Sequence, residues 1–103
     1  MAKKNVKTIK VNHRNLGTVS VKVDADMAPY FEERGLLIKL EHSRDVAPYV
    51  MVKPSSDYPI EYAARVVLDE QGLLDPSRNV SYLNKDHFDL TTNNLVQVDR
   101  PHP

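Results

Sequence analysis

The run Thr18-Val19-Ser20-Val21-Lys22-Val23 alternates polar and apolar residues without a break. A period of two places Val19, Val21 and Val23 on one face of a strand and leaves the other face to water. A helix would scatter the same three valines around its surface. Upstream, Asn15-Leu16-Gly17 predicts a turn. Before it, Val6-Lys7-Thr8-Ile9-Lys10-Val11 predicts a partner strand with Ile9 and Val11 on its apolar face. The chain is therefore expected to open with a β-hairpin that must cover its valine face with something else.

Further along, the pattern predicts that cover. Met27 to Arg34 reads as a short helix, with Asp26 as its N-cap, Pro29 in its first turn and a left-handed Gly35 at its end. Two strands follow, Leu36 to Leu40 and Tyr49 to Val52, joined by a polar connection from His42 to Val46. Pro54-Ser55-Ser56-Asp57 breaks the pattern and can cap a second helix, expected from Pro59 to about Glu70. Its stripe is Ile60, Ala63, Ala64, Val67 and Leu68, and Gly72 stops it. After a loop at Asp75-Pro76-Ser77, Val80 to Leu83 and Val96 to Val98 read as extended. They flank a capped turn or very short helix at Asp89-Leu90-Thr91-Thr92-Asn93-Asn94-Leu95. Leu83 and Leu95 are expected to bring these strands onto the second helix. The fold class is α+β: small antiparallel strands with two short helices.

At 103 residues, one domain with one modest core is expected. The sequence has no cysteine, so disulfides, thiolate metal sites and cysteine nucleophiles are excluded. No apolar run approaches the roughly 20 residues of a membrane span. Met1-Ala2-Lys3-Lys4-Asn5 has no apolar stretch behind its charges. No secretory leader is expected, and the cytoplasm is the expected compartment.

Fourteen basic residues balance fourteen acidic ones, but unevenly. Residues 1–23 carry Lys3, Lys4, Lys7, Lys10, Arg14 and Lys22 and no acid, a local charge of +6. Residues 24–53 sum to −2, and residues 54–103 to −4. Lys3, Lys4, Lys7, Lys10 and Arg14 are thus the candidate phosphate contacts, with a solvated N-terminal segment as the plainer use.

Taken in order, the later motifs resemble the small HNH endonucleases of phages and mobile elements, whose metal-binding core is a ββα module. That core reads valine, any residue, His, Ile or Leu, Asn, Gly, Asp, and after a few residues Asp-Asn-Arg, two residues, Asn-Leu. Val80-Ser81-Tyr82-Leu83-Asn84-Lys85-Asp86 matches the first part, and Asp89-Leu90-Thr91-Thr92-Asn93-Asn94-Leu95 the second. The valine-rich strand, the acid-capped helix and Tyr49-Val50 fall in the family's order. The resemblance covers residues 18–99, leaving 1–17 as a basic segment with the first strand and 100–103 as a tail. It implies a C-terminal HNH-like ββα module.

The departures fall on the chemistry. In the family, the His is the base that activates water, and the acid before it and the Asn of Asn-Leu hold the metal. Here those positions are Tyr82, Ser81 and Asn94. A phenol with an ordinary pKa near 10 is a poor base at neutral pH. A hydroxyl and an amide do not replace carboxylates around a hard cation. The His-Arg pair usual on the preceding helix is Ile60-Glu61-Tyr62-Ala63 here, and the arginines after the second Asp are Leu90, Thr91 and Thr92. No catalytic residue, metal or cofactor is therefore expected, and Tyr82, Asn84, Asp89 and Asn94 are read as motif remnants. Asp89 and Asn94 are expected to act as a structural staple.

His87 is expected to be a surface turn residue, and its service as a displaced base is the third functional alternative. His13, His42 and His102 have no partner at zinc-binding spacing. Tyr58 and Tyr62, four apart at the expected helix start and flanking Glu61, form a candidate interface ridge. The first functional expectation is a nonenzymatic phage-type module that inhibits or redirects a host or defence protein handling nucleic acid. The alternative is a DNA-binding remnant of an HNH endonuclease that uses its basic N-terminus.

Overall fold

The computed structural model describes residues 5–40 and 48–99. Lys3, Lys4, the His42 to Val46 connection and the 100–103 tail lie outside the described residues. The hairpin consists of β1 (Val6–His13) and β2 (Gly17–Asp24), antiparallel and in register from Val6 opposite Asp24 to His13 opposite Gly17. Val11, Val19, Val21 and Val23 are buried, while Thr8, Lys10, Thr18, Ser20 and Lys22 face solvent. Gly17 supplies the positive φ, 74°, that closes the turn. The His13 ring shapes the same turn, its Nδ1 accepting the N–H groups of Asn15 (3.0 Å) and Leu16 (3.2 Å).

α1 (Ala28–Arg34) lays Phe31, fully buried, on the valine face. Its cap differs from the expected one. Met27 takes the N-cap position without a side-chain cap, and Asp24 is directed elsewhere. Gly35, at φ 86°, ends the helix and lets the chain reverse into β3 (Leu36–Lys39), which pairs antiparallel with β4 (Tyr49–Val52).

The second helix is shorter than its stripe predicts. α2 runs Ala63–Glu70, and the two residues before it form β5 (Glu61–Tyr62), paired with Met51 and Val52 of β4. Pro59 has no N–H, and Glu61 and Tyr62 satisfy their backbone on β4 instead of in a first helical turn. Ile60 consequently leaves the stripe and is 47% exposed, whereas Ala63, Ala64, Val67 and Leu68 are buried. Pro54 to Asp57 do not cap the helix either. Ser55 Oγ accepts the N–H groups of Asp57 and Tyr58 within its own turn.

The C-terminal pair is β6 (Asn79–Tyr82) and β7 (Leu95–Val98), antiparallel from Asn79 opposite Val98 to Tyr82 opposite Leu95. A single 3-10 turn, Thr92–Asn94, precedes β7. α2 precedes this pair in the chain, and no helix follows β7 among the described residues. The molecule is therefore α+β, with antiparallel strands in groups of two, three and two among the described residues.

One apolar core runs through the hairpin, α1, β3, β4 and α2 and takes in Leu90 and Leu95. Leu83, expected on that core, is 63% exposed at the end of β6. The motif loop is joined to the hairpin by backbone. Lys22 N–H donates to Phe88 O and Leu90 N–H donates to Lys22 O, each at 2.8 Å, so β2 is bonded along both edges.

Candidate functional site

The motif loop, residues 84–94, is ordered by short polar side chains bonding nearby backbone. Asp89 Oδ1 accepts the Thr91 N–H (3.1 Å) and hydroxyl (2.6 Å), and its Oδ2 accepts from Asn84 Nδ2 (3.0 Å). Asn94, 7% exposed, accepts the Asn84 N–H on Oδ1 (3.0 Å) and donates from Nδ2 to Asp89 O (2.9 Å). Asn84 Oδ1 accepts the Asp86 N–H, and Asp86 Oδ1 accepts the Phe88 N–H, both at 2.9 Å. Asn84, Asp89 and Asn94 thus close a polar ring across the loop, as expected of a staple. Lys85, between them, has φ 63°, in the left-handed region that favours glycine.

A second staple was not anticipated from the residues. Asp24, 3% exposed, accepts the Thr92 N–H (3.3 Å to each oxygen) and the Thr92 hydroxyl. This ties the end of the hairpin to the start of the 3-10 turn, 68 residues away. A run of three acids-and-alanine before a helix resembles a capping signal. Strand alternation does not reveal this role, since it puts Asp24 on the outer face with Ser20 and Lys22; the link forms because the backbone of residues 88–90 runs beside β2.

Tyr82 stands where the resemblance puts the base. Burial, with the neighbouring Tyr49 adding to it, pushes its phenol up to about 12, so it holds its proton at neutral pH. Its ring stacks on His87, centroids 4.4 Å apart, and His87 in turn lies 5.2 Å from Tyr49. His87 lies in a turn, as expected, but its ring is not left open on the surface. It is a half-buried ring between two tyrosines, and its Nδ1 is buried without a hydrogen-bond partner among the described residues. The loop bends through Lys85 and Asp86 and folds His87 back over β6, a course that linear spacing does not reveal. Among the described residues, no group of three or more His, Asp or Glu is arranged to hold a metal ion.

Tyr58 and Tyr62 do not form one ridge. With 61–62 in a strand instead of a helix, successive side chains diverge. Glu61 lies toward Arg34 (4.0 Å), and Tyr62 packs edge-on to Tyr49, centroids 5.7 Å apart. Tyr58 covers the Arg34 guanidinium, 4.9 Å from ring centroid to Cζ. Arg34 also donates to Tyr30 Oη (2.8 Å) and Lys53 O (3.0 Å), so Tyr58 serves to hold the 54–60 loop against α1. Both rings keep an exposed side, Tyr58 at 57% and Tyr62 at 43%.

The basic residues of the hairpin are dispersed. Lys7 pairs at the surface with Glu32 of α1 (3.0 Å), Lys10 donates to Ser20 Oγ on the outer face (2.6 Å), and Arg14 lies exposed in the turn. No helix among the described residues is long and apolar enough to cross a membrane. No protein family, curated protein or solved structure matches the chain.

Proposed function

We propose that this chain is a nonenzymatic protein-binding module, of phage or mobile-element type, on an HNH-like scaffold without nuclease chemistry. Its partner in this reading is a host or defence protein that handles nucleic acid. The observation that carries the reading is how the motif's side chains are engaged. Asp89 and Asn94 direct their oxygens to the loop's own donors, and a phenol pushed up to about 12 occupies the base position. β6, β7 and the loop between them stand for the two strands of the ββα module. Lys85, at the glycine position of the motif with φ 63°, supports that alignment. The −4 charge of residues 54–103 repels phosphates and suits the basic groove of a nucleic-acid enzyme.

Incubation with supercoiled plasmid and Mg²⁺, Mn²⁺ or Zn²⁺ tests the first half of the proposal: the plasmid stays intact. Cleavage that disappears in His87→Ala overturns it and makes His87 the displaced base. Copurification of the tagged chain from host lysate, with and without nuclease treatment, tests the second half. A partner retained after nuclease treatment is expected, and one lost with the DNA contradicts it.

The DNA-binding alternative draws on the basic N-terminus, Lys3, Lys4, Lys7, Lys10 and Arg14, of which Lys7, Lys10 and Arg14 are described and exposed on the hairpin. Six cations neutralise at most about six phosphates, so log K against log salt would slope no steeper than about −5. Replacing Lys3, Lys4, Lys7 and Lys10 with Ala would abolish such binding.

A further inference from the structure

A groove of about 630 Å³ runs between β6 and the end of β5, lined by Tyr49, Tyr62, Arg65, Asn79, Val80 and Tyr82. Asn79 and Val80 are adjacent in a strand and point to opposite faces, yet both line it. The groove therefore follows the edge of β6, not one of its faces. That edge is open, because β6 pairs only with β7 among the described residues.

The register shows which backbone groups lie there. Leu83 N–H donates to Asn94 O at 2.8 Å, which makes this a hydrogen-bonded pair continuing the β6–β7 ladder. Such pairs alternate with non-hydrogen-bonded ones in an antiparallel ladder. Val80 and Tyr82 are thus the residues whose N–H groups turn away from β7, into the groove. Two outward donors two residues apart are what an added strand bonds to.

Charge indicates what the strand carries. A smaller adjoining pocket of about 260 Å³ shares Tyr62 and Arg65 with the groove and adds Glu61 and Asp69. The Arg65 guanidinium is turned to the carbonyl oxygens of Arg78 (3.3 Å) and Pro76 (3.4 Å). Asp69 and Glu61, the latter also 4.0 Å from Arg34, lie beside a guanidinium already bound to backbone, within a stretch (residues 54–103) of charge −4, which disfavours a phosphate chain and favours a cationic side chain.

We propose that this groove takes an extended, basic peptide segment of a partner protein, added as a strand to the free edge of β6. An apolar side chain of that segment lies among Tyr49, Tyr62 and Tyr82, and a Lys or Arg reaches Glu61 and Asp69. The proposal rests on the protein-partner reading above and names where, and through what chemistry, that partner docks.

The full chain is panned against a phage-displayed library of random dodecapeptides, and the enriched peptide, made synthetically, is titrated against wild type and variants. The expected peptide pairs an aromatic or aliphatic residue with Lys or Arg. Its affinity falls about tenfold or more in Val80→Pro, Tyr62→Ala and Asp69→Lys, tenfold being the scale of one lost hydrogen-bonding or packing contact. Val80→Pro removes an outward donor at an edge position, where proline is tolerated. Should circular dichroism show that variant unfolded, Tyr62→Ala, on a side chain outside the buried core, decides. Failure to enrich any peptide, or equal binding by wild type and variants, overturns the groove while leaving a protein partner elsewhere on the surface. Dimerisation of the chain that Val80→Pro abolishes overturns it in favour of a second copy. If a thymidine 20-mer binds and shifts the amides of Tyr62, Val80 and Tyr82 while no peptide does, both the groove proposal and the protein-partner reading fall.

Discussion

Residues 17–24 and residues 84–94 are held by opposite means. In β2, three valines are buried against Phe31 and the sheet, and the strand's polar side chains are left to water. In the motif loop, only Leu90 is fully buried, and side-chain oxygens satisfy backbone donors one after another. The first kind of order is non-directional and tolerates exchange of one apolar group for another of similar size. The second depends on individual atoms, because a buried donor left without its acceptor bears the full desolvation penalty. A loop built this way keeps its shape when its other side chains are exchanged, provided Asn84, Asp89 and Asn94 remain.

The contrast can be broken most directly in the apolar half. Phe31→Ala is expected to cost about 3–5 kcal/mol, since the ring is fully buried where α1 meets the hairpin. That loss approaches the whole stability of many domains this size. Chemical denaturation should show a largely unfolded chain. A loss under 1 kcal/mol would mean that the valine face is not the main source of stability. Asp24→Ala, at the junction of the two regions, is expected to cost about 2 kcal/mol through the charged acceptor lost to Thr92. Hydrogen exchange should then show the 88–92 amides opening before those of β2. Uniform loss of protection in both would show that the regions do not open separately.

Smaller effects sharpen the picture within the motif. Tyr82 ionises near 10 when unfolded and near 12 in the fold, so the stability it confers is fully present below pH 10. It is lost as pH rises toward 12, because only the unfolded chain has then released the proton. Urea titrations at pH 9 and 11 should show a loss that Tyr82→Phe reduces. An identical loss in both would place the phenol in water. Smallest of all, Lys85→Gly should stabilise the chain by about 0.5 kcal/mol, as relief of the left-handed φ outweighs the entropy that glycine adds to the unfolded state. Calorimetry can resolve that sign.

What could be read from the residues divides along the same line. The hairpin, α1, β3 and β4 are visible because apolar periodicity reports burial directly, and Val19, Val21 and Val23 lie where alternation puts them. The stripe overextends α2 because Ile60 happens to continue it, and periodicity carries no information about β4 capturing the backbone of Glu61 and Tyr62. Asp89 and Asn94 were legible as a staple because Asp and Asn bond locally. The Asp24–Thr92 link and the stacking of His87 on Tyr82 were not, since both depend on the three-dimensional path of the chain between them.

The central claim is that the motif's polar residues hold structure and do no chemistry, and scanning calorimetry of Asp89→Ala and Asn94→Ala tests it most directly. Each variant loses contacts worth about 1–2 kcal/mol. For a domain of this size, each kcal/mol lowers the melting temperature by roughly 4–8 °C. Both variants should melt early, and partner binding should fall only in proportion to the unfolded fraction. An unchanged melting temperature together with abolished metal or partner binding would contradict the account and make Asp89 and Asn94 a working site.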